Sequence, residues 1–197
     1  SPELISFTHN ETSTGAAQPL EDIYSVREKF PNALISVDAV SSLPFVNFDY
    51  SKVDSVYFSV QKCFGLPAGL GVWMVNNRCI EAAIKKESLR KMTGANFRLT
   101  SMFKMAQKFQ TVATPNVLTI FLLSKIIEDM NLKGIDMIRR ETEYKSAVLY
   151  HTINDHKRLS AFVENTKFQS KTVIVAKVDD SNKVIEQLAK KGLIIGS

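Results

Sequence analysis

Short apolar runs alternate with an amphipathic stretch through the first third of the chain. Residues 3–8, carrying Leu4, Ile5 and Phe7, read as a strand, and 33–38 and 54–60 repeat the pattern. Between the first two, Leu20, Ile23, Tyr24, Val26 and Phe30 fall at helical spacing, which predicts a helix over 19–30. Pro19 suits its first turn, and Pro31-Asn32 stops it. Strand, helix and strand in that order predict a parallel-type sheet. A fourth run over 70–76 reads as a buried strand with Trp73 in the core.

Beyond residue 77 the pattern turns helical. Helices are expected over 78–90, 97–109, 115–130 and 135–155, with 131–134 as a hinge. Thr114 followed by Pro115 makes a good N-cap arrangement for the third of these. Strands over 159–164 and 172–178, a helix over 182–191 and a last strand over 193–195 complete the chain. The change of pattern places a domain boundary near residue 133. Residues 1–132 then form part of one α/β domain, and 133–197 an inter-domain helix leading into a smaller α+β domain.

Composition narrows the class. A hydrophobic fraction of 45% with 23% charged residues is that of a folded chain, which sets disorder aside. The net charge of +5 does not point to nucleic acid. Its densest pairs, Lys85-Lys86, Arg139-Arg140 and Lys190-Lys191, lie on expected helices beside glutamates and read as solvated faces. The surplus can still draw anionic substrates. No apolar run approaches ~18 residues, so no membrane span is expected, and no signal peptide is seen. Only Cys63 and Cys79 occur, without Cys-x-x-Cys, which argues for a reducing, cytoplasmic setting over disulfides or zinc. His9, His151 and His156 are too separated to build a metal centre.

Three of the strand-like runs end in reactive groups. Run 3–8 leads into His9-Asn10-Glu11-Thr12-Ser13-Thr14-Gly15, run 33–38 ends at Asp38, and run 54–60 at Gln61-Lys62 before a glycine-punctuated turn. Ligands of open α/β sheets bind outside the carboxyl ends of the strands, so parallel strands would bring Thr12, Asp38 and Lys62 to one rim. That trio suits pyridoxal phosphate. A carboxylate beside the pyridine nitrogen keeps it protonated and makes the ring an electron sink. A lysine that loses its proton, helped by partial burial and nearby cations, can attack the aldehyde and later move the α-proton. A hydroxyl on the ring-oxygen side tunes its charge and tilt. Taken singly, Lys62 reads as a solvated surface lysine; the company of Thr12 and Asp38 favours the chemical reading.

On these residues the chain resembles the class V aminotransferases, of pyridoxal-phosphate fold type I. The run at 9–15, the pair Val37-Asp38 and the pair Gln61-Lys62 match in order and spacing. The wording of the first is most similar to one branch of the phosphoserine aminotransferases; the serine/alanine–glyoxylate aminotransferases carry a less similar version. The resemblance implies a three-layer large domain, a mainly parallel sheet with helices on both faces, followed by part of a smaller α+β C-terminal domain. It implies Lys62 as the Schiff-base lysine, Asp38 at the ring nitrogen and Thr12 by the ring hydroxyl. Gln61 would bind the cofactor phosphate, and Thr114 would reach the partner subunit's phosphate in a homodimer. Ala113 stands where the phosphoserine branch usually has asparagine. Gln61 also replaces the histidine that precedes the lysine in cysteine desulfurases, which disfavours that activity, and Cys63 reads as a small packed residue.

The family's phosphate-cradling loop, ring-stacking aromatic and substrate-carboxylate arginine have no counterpart in the chain, which therefore reads as the central segment of a longer aminotransferase. The favoured reaction passes an amino group between phosphoserine and 2-oxoglutarate, with serine or alanine and glyoxylate as runner-up. A non-catalytic interaction module is the alternative of another class, and joint retention of Lys62, Asp38 and Thr12 argues against it. Arg98 reads as a structural ion pair, His9 as fixing its loop by hydrogen bonding, and Glu11 as ordering its own turn.

Overall fold

The structure, a computed structural model, describes residues 1–89 and 98–195. In chain order the first elements are β1 (Leu4–Thr8), the pair β2 (Asn10–Glu11) and β3 (Ala16–Ala17), α1 (Leu20–Lys29), β4 (Leu34–Asp38), β5 (Ser55–Ser59) and β6 (Gly71–Val75). There follow α2 (Asn77–Ser88), α3 (Leu99–Ala106), α4 (Val117–Lys133), α5 (Ile135–Asp155), β7 (Leu159–Ala161), β8 (Ala176–Val178) and α6 (Ser181–Ala189).

The main sheet has the order β1-β4-β5-β6. Its first three strands are parallel, as the strand–helix–strand pattern predicts, and β6 returns antiparallel. The turn from β5 is too short for a crossover, so only an antiparallel return is open to it. Alternation then sorts the side chains. Ile35, Val37, Val56 and Phe58 bury one face against Ile23 of α1, with Leu123, Ile126 and Met130 of α4 at its margin. The other face carries Ser36, Ser55, Tyr57 and Trp73. Trp73 is 44% exposed and donates from Nε1 to Ser55 Oγ at 2.8 Å, so it is not the core residue its apolar run predicts. Its strand neighbours Val72 and Met74 take the core side instead.

Several boundaries shift for local reasons. Helix α4 starts at Val117, and Asn116, not Thr114-Pro115, caps it by accepting from Thr119 N at 3.1 Å. The 131–133 stretch of the expected hinge is helical, and Gly134 alone breaks the chain direction, with φ 88°. The helix expected over 78–90 ends at Ser88, and that over 97–109 is α3; residues 90 and 97 lie outside the described ones. Strands β7 and β8 are shorter than their apolar runs, and 193–195 forms no strand. Beside β7, Tyr150, Ile153 and Ala161 form a second, smaller core.

The sheet's amino end is tied by one carboxylate. Asp54, 4% exposed, accepts from Ile35 N at 2.7 Å, Asn76 Nδ2 at 2.8 Å and Arg78 Nη1 at 3.0 Å, and pairs with Arg27 Nη2. Burial alone would raise its pKa. The hydrogen bonds from Asn76, Ile35 and Arg27, with the Arg27 charge, outweigh burial and hold the carboxyl below its ordinary value. Asp54→Ala leaves two arginines without their anion and is expected to cost about 3–5 kcal/mol in urea unfolding. Because the folded pKa is the lower one, this stability is present above the unfolded value of about 3.9 and drains as pH falls through the folded value. Asp54→Asn should abolish that acid-limb slope; an unchanged slope in this variant would assign it to other carboxylates.

Candidate functional site

The carboxyl ends of β1, β4 and β5 share one rim, because Thr8, Asp38 and Tyr57 lie in register across the three strands. Backbone bonds carry the ladder one step further, from His9 N to Asp38 O and from Ala39 N to Tyr57 O, each 2.9 Å. Three segments leave from this rim: the β2–β3 hairpin with Thr12 in its turn, the stretch after Asp38, and the 60–70 turn with Gln61 and Lys62.

Asp38 is half-buried and accepts from Val40 N through Oδ1 at 2.9 Å. Burial, and then the Asp38 charge beside it, push the Tyr57 hydroxyl pKa up. Thr12, Gln61 and Lys62 are exposed, so the described residues do not supply the partial burial expected for the lysine. The turn that presents Lys62 is closed by Gly65 N donating to Lys62 O at 3.0 Å, and Gly65 and Gly69 adopt φ of 68° and 123°, which side chains resist. Thr114 is exposed on a groove of about 690 Å³ between Trp73 and α3.

The flanking residues divide. Glu11 accepts from Ser13 N at 2.9 Å and Ser13 Oγ at 2.8 Å, ordering its own turn as expected. Arg98 pairs with Glu87 at 3.6 Å, the structural ion pair foreseen for it. The His9 ring does not fix its loop by hydrogen bonding; its backbone does, through Asp38 O and Gln18 N. The ring is 8% exposed, edge-on to Phe48 at 5.5 Å, and Nδ1 has no partner among the described residues. Burial lowers its pKa to about 4, so it is neutral at pH 7. Cys63 is exposed as a residue rather than packed, but its thiol turns onto Ser41 O at 3.5 Å, and burial raises the thiol pKa.

Ser41 joins the three segments. Its hydroxyl accepts from Asn10 Nδ2 at 2.7 Å and donates to Asn10 O at 3.0 Å. Its carbonyl accepts from Cys63 and from Thr172 Oγ1, the latter at 2.6 Å. Thr172 belongs to a strap that also donates from Ser170 N to Gly15 O at 2.9 Å and is held by Tyr150 of α5, whose hydroxyl donates to Ser170 O at 3.0 Å. Nothing in the local sequence signals these pairings, since Asn10 and Ser41 are 31 positions apart and Ser41 and Thr172 are 131 apart. Among the described residues no group of His, Cys, Asp and Glu could hold a metal, and no helix is long and apolar enough to cross a membrane.

A mostly parallel sheet with a hydroxyl hairpin, a carboxylate and a lysine on its carboxyl rim has the architecture of an aminotransferase α/β domain. The chain belongs to the class-V aminotransferase family, whose sequence profile matches residues 1–197. It is similar to a phosphoserine aminotransferase of Rhodococcus opacus, 31% identical over 181 residues that cover 91% of this chain and 48% of that protein. A solved phosphoserine aminotransferase from Cytophaga hutchinsonii superposes with a TM-score of 0.94 at 46% identity, over 99% of this chain and 54% of that one. An alanine–glyoxylate aminotransferase from Nostoc sp. shares the fold, with a TM-score of 0.83 at 23% identity over 100% of this chain and 52% of that one. The chain thus spans about half the length of these relatives.

Two outcomes follow for the loop that carries Thr12. Gly15 has φ 70°, and a Cβ there would meet Val173 O at 2.8 Å, so Gly15→Ala should lose about 1–3 kcal/mol or more in urea unfolding. His9 has the lower pKa when folded, so the unfolded chain takes its proton first. Stability is full above about pH 6.5 and falls by about 3 kcal/mol as pH drops to about 4, and His9→Gln should flatten that window.

Proposed function

We propose that the protein bearing this chain is a pyridoxal-phosphate-dependent aminotransferase whose substrates are phosphoserine and 2-oxoglutarate. The reading rests on a carboxylate and a lysine leaving one sheet rim, in a chain 46% identical over 99% of its length to a phosphoserine aminotransferase.

The donor set fits that cofactor. Val40 N–H fixes Asp38 by one oxygen and leaves carboxylate lone pairs for a ring N–H. The exposed hydroxyl of Thr12 suits the ring-oxygen side, and the Gln61 amide offers two N–H donors to a phosphate. When bound, pyridoxal phosphate supplies the aldehyde and the electron-accepting ring. Asp38 holds the ring nitrogen's proton by its negative charge. Lys62 Nζ takes the proton from the substrate's α-carbon, for which it must itself be neutral. The glycine turn leaves the amine exposed at the rim.

The two cores and the single break at Gly134 support a boundary near residue 133, with 1–132 in the cofactor domain and 133–197 leading into a smaller one. Leu118 and Phe121, 67% and 56% exposed, crown α4 just beyond Thr114. An apolar surface of this kind favours a second copy, which would let Thr114 reach the partner's cofactor phosphate. Cytoplasmic location rests on two free cysteines.

In the full-length protein, added pyridoxal phosphate should give an absorbance band at the visible edge that Lys62→Ala loses, with transamination reduced at least about 10²-fold. No band in the parent would reject the enzyme. Phosphoserine should convert the aldehyde cofactor to its amine form faster than serine or alanine; failure of phosphoserine alone rejects the substrate and favours the glyoxylate reaction. Replacing Leu118 and Phe121 together by Asp should shift the protein to monomer on sizing and weaken cofactor binding, and an unchanged elution would reject this interface.

A further inference from the structure

We propose that Thr172 is a positioning residue for Lys62, acting through the carbonyl of Ser41 and the thiol of Cys63. The inference rests on Lys62 being the reactive amine of the proposed aminotransferase.

At Ser41 the hairpin, the segment after Asp38, the lysine turn and the strap meet. Its hydroxyl is committed to Asn10 in both directions, which fixes the residue to the Thr12 hairpin. Its carbonyl has two lone pairs. One takes the Thr172 hydroxyl at 2.6 Å, and the other takes the Cys63 thiol at 3.5 Å. A thiol is a weak and angle-sensitive donor, so the bond survives only while the Ser41 carbonyl keeps its place. Thr172 provides that hold. Its own position is set from the second core, because Ser170 Oγ accepts from Thr172 N at 3.1 Å while Tyr150 donates to Ser170 O at 3.0 Å.

The route from α5 to Lys62 therefore runs through Tyr150, Ser170, Thr172, Ser41 and Cys63, the last adjacent in sequence to the amine. A shift of the strap relieves the Ser41 carbonyl and loosens the turn that carries Lys62, while Asp38 stays in the sheet ladder. One hydroxyl thus couples the place of the second core to the separation of amine and carboxylate. A latch that merely stabilised the strap would affect unfolding without changing the turn.

A cavity of about 340 Å³, bordered by Cys63, Thr172, Phe45 and Ser146, gives a small reagent access to the joint. The test uses the full-length protein without added cofactor and measures labelling of Cys63 by 5,5′-dithiobis(2-nitrobenzoate), resolved from buried Cys79 by mass spectrometry. Thr172→Val should raise the Cys63 rate about three- to tenfold, the worth of one hydrogen bond. Cys79 should not change, and Thr172→Ser should restore the parent rate. After pyridoxal phosphate is added, the visible-edge band should form about three- to tenfold more slowly in Thr172→Val, with kcat lowered and KM held.

An unchanged Cys63 rate, or an equal rise at Cys79, overturns the proposal. Should Thr172→Val not fold, Cys63→Ala cuts the same route from the other side. It should slow band formation to the same degree, and Thr172→Ala added to it should bring no further loss; additive losses overturn the coupling. If the parent forms no band, the aminotransferase reading fails, and the labelling rates still decide whether Thr172 sets the turn.

Discussion

Asp54 is the constraint on which the rest of the structure depends. A carboxylate taken almost wholly out of water is costly unless each oxygen is satisfied. Here Oδ2 takes Ile35 N and Arg27, and Oδ1 takes Asn76 and Arg78. The arginine donors left over go to carbonyls: Arg27 to Ala33 O at 2.6 Å and Lys52 O at 3.2 Å, Arg78 to Pro31 O at 3.0 Å. One anion thereby pins α1, the start of β4, the start of β5 and the entry to α2. It also sets register, since Asp54 N donates back to Ile35 O at 2.9 Å, and a slip by one residue would break both exchanges.

At the opposite end the sheet is held differently. The rim has no buried ion pair among the described contacts; it is stitched by backbone bonds, one serine and a strap. Hydrogen bonds of this kind contribute about 0.5–1.5 kcal/mol each, against several for a broken buried ion pair. A stiff floor and a lightly tied rim suit the aminotransferase proposed above, in which loops would accept and release small molecules. The neutral His9 belongs to the same scheme. Packed on Phe48, it fills the base of the hairpin without adding a charge beside Asp38.

How much of this was legible follows from distance along the chain. Strands β1, β4 and β5 and helix α1 could be read directly, because alternation and helical spacing are local consequences of having one buried face. The parallel strands then required Asp38 and the lysine turn to leave from one edge. Trp73 misled, because an apolar run does not reveal which strand lies at the edge or which alternate residues meet the core. Thr114-Pro115 misled because Asn116, one place later, is a better cap than threonine two places earlier. Asp54, Ser41 and Thr172 were illegible for another reason. Their partners come from distant segments, and a serine or threonine that accepts or donates across the fold has no periodicity to betray it.

At the rim Lys62 stands exposed while Asp38 lies half-buried in the sheet ladder. A lysine buried by its own chain would owe a low pKa to desolvation. Lys62 stands on an exposed glycine turn, and the described residues do not bury it in this way. For the aminotransferase proposed above, the surroundings that make the amine reactive would be assembled around the turn by cofactor, substrate and whatever covers the rim. What the chain itself controls is where the amine stands relative to Asp38. On one side Asp38 sits in a rigid ladder; on the other the lysine turn is held by Phe64 stacked on Phe58, by Leu66 N on Val60 O and by Cys63 on the Ser41 carbonyl. In the aminotransferase proposed above, the chain would thus contribute the position of the amine, and its partners the enclosure of the site.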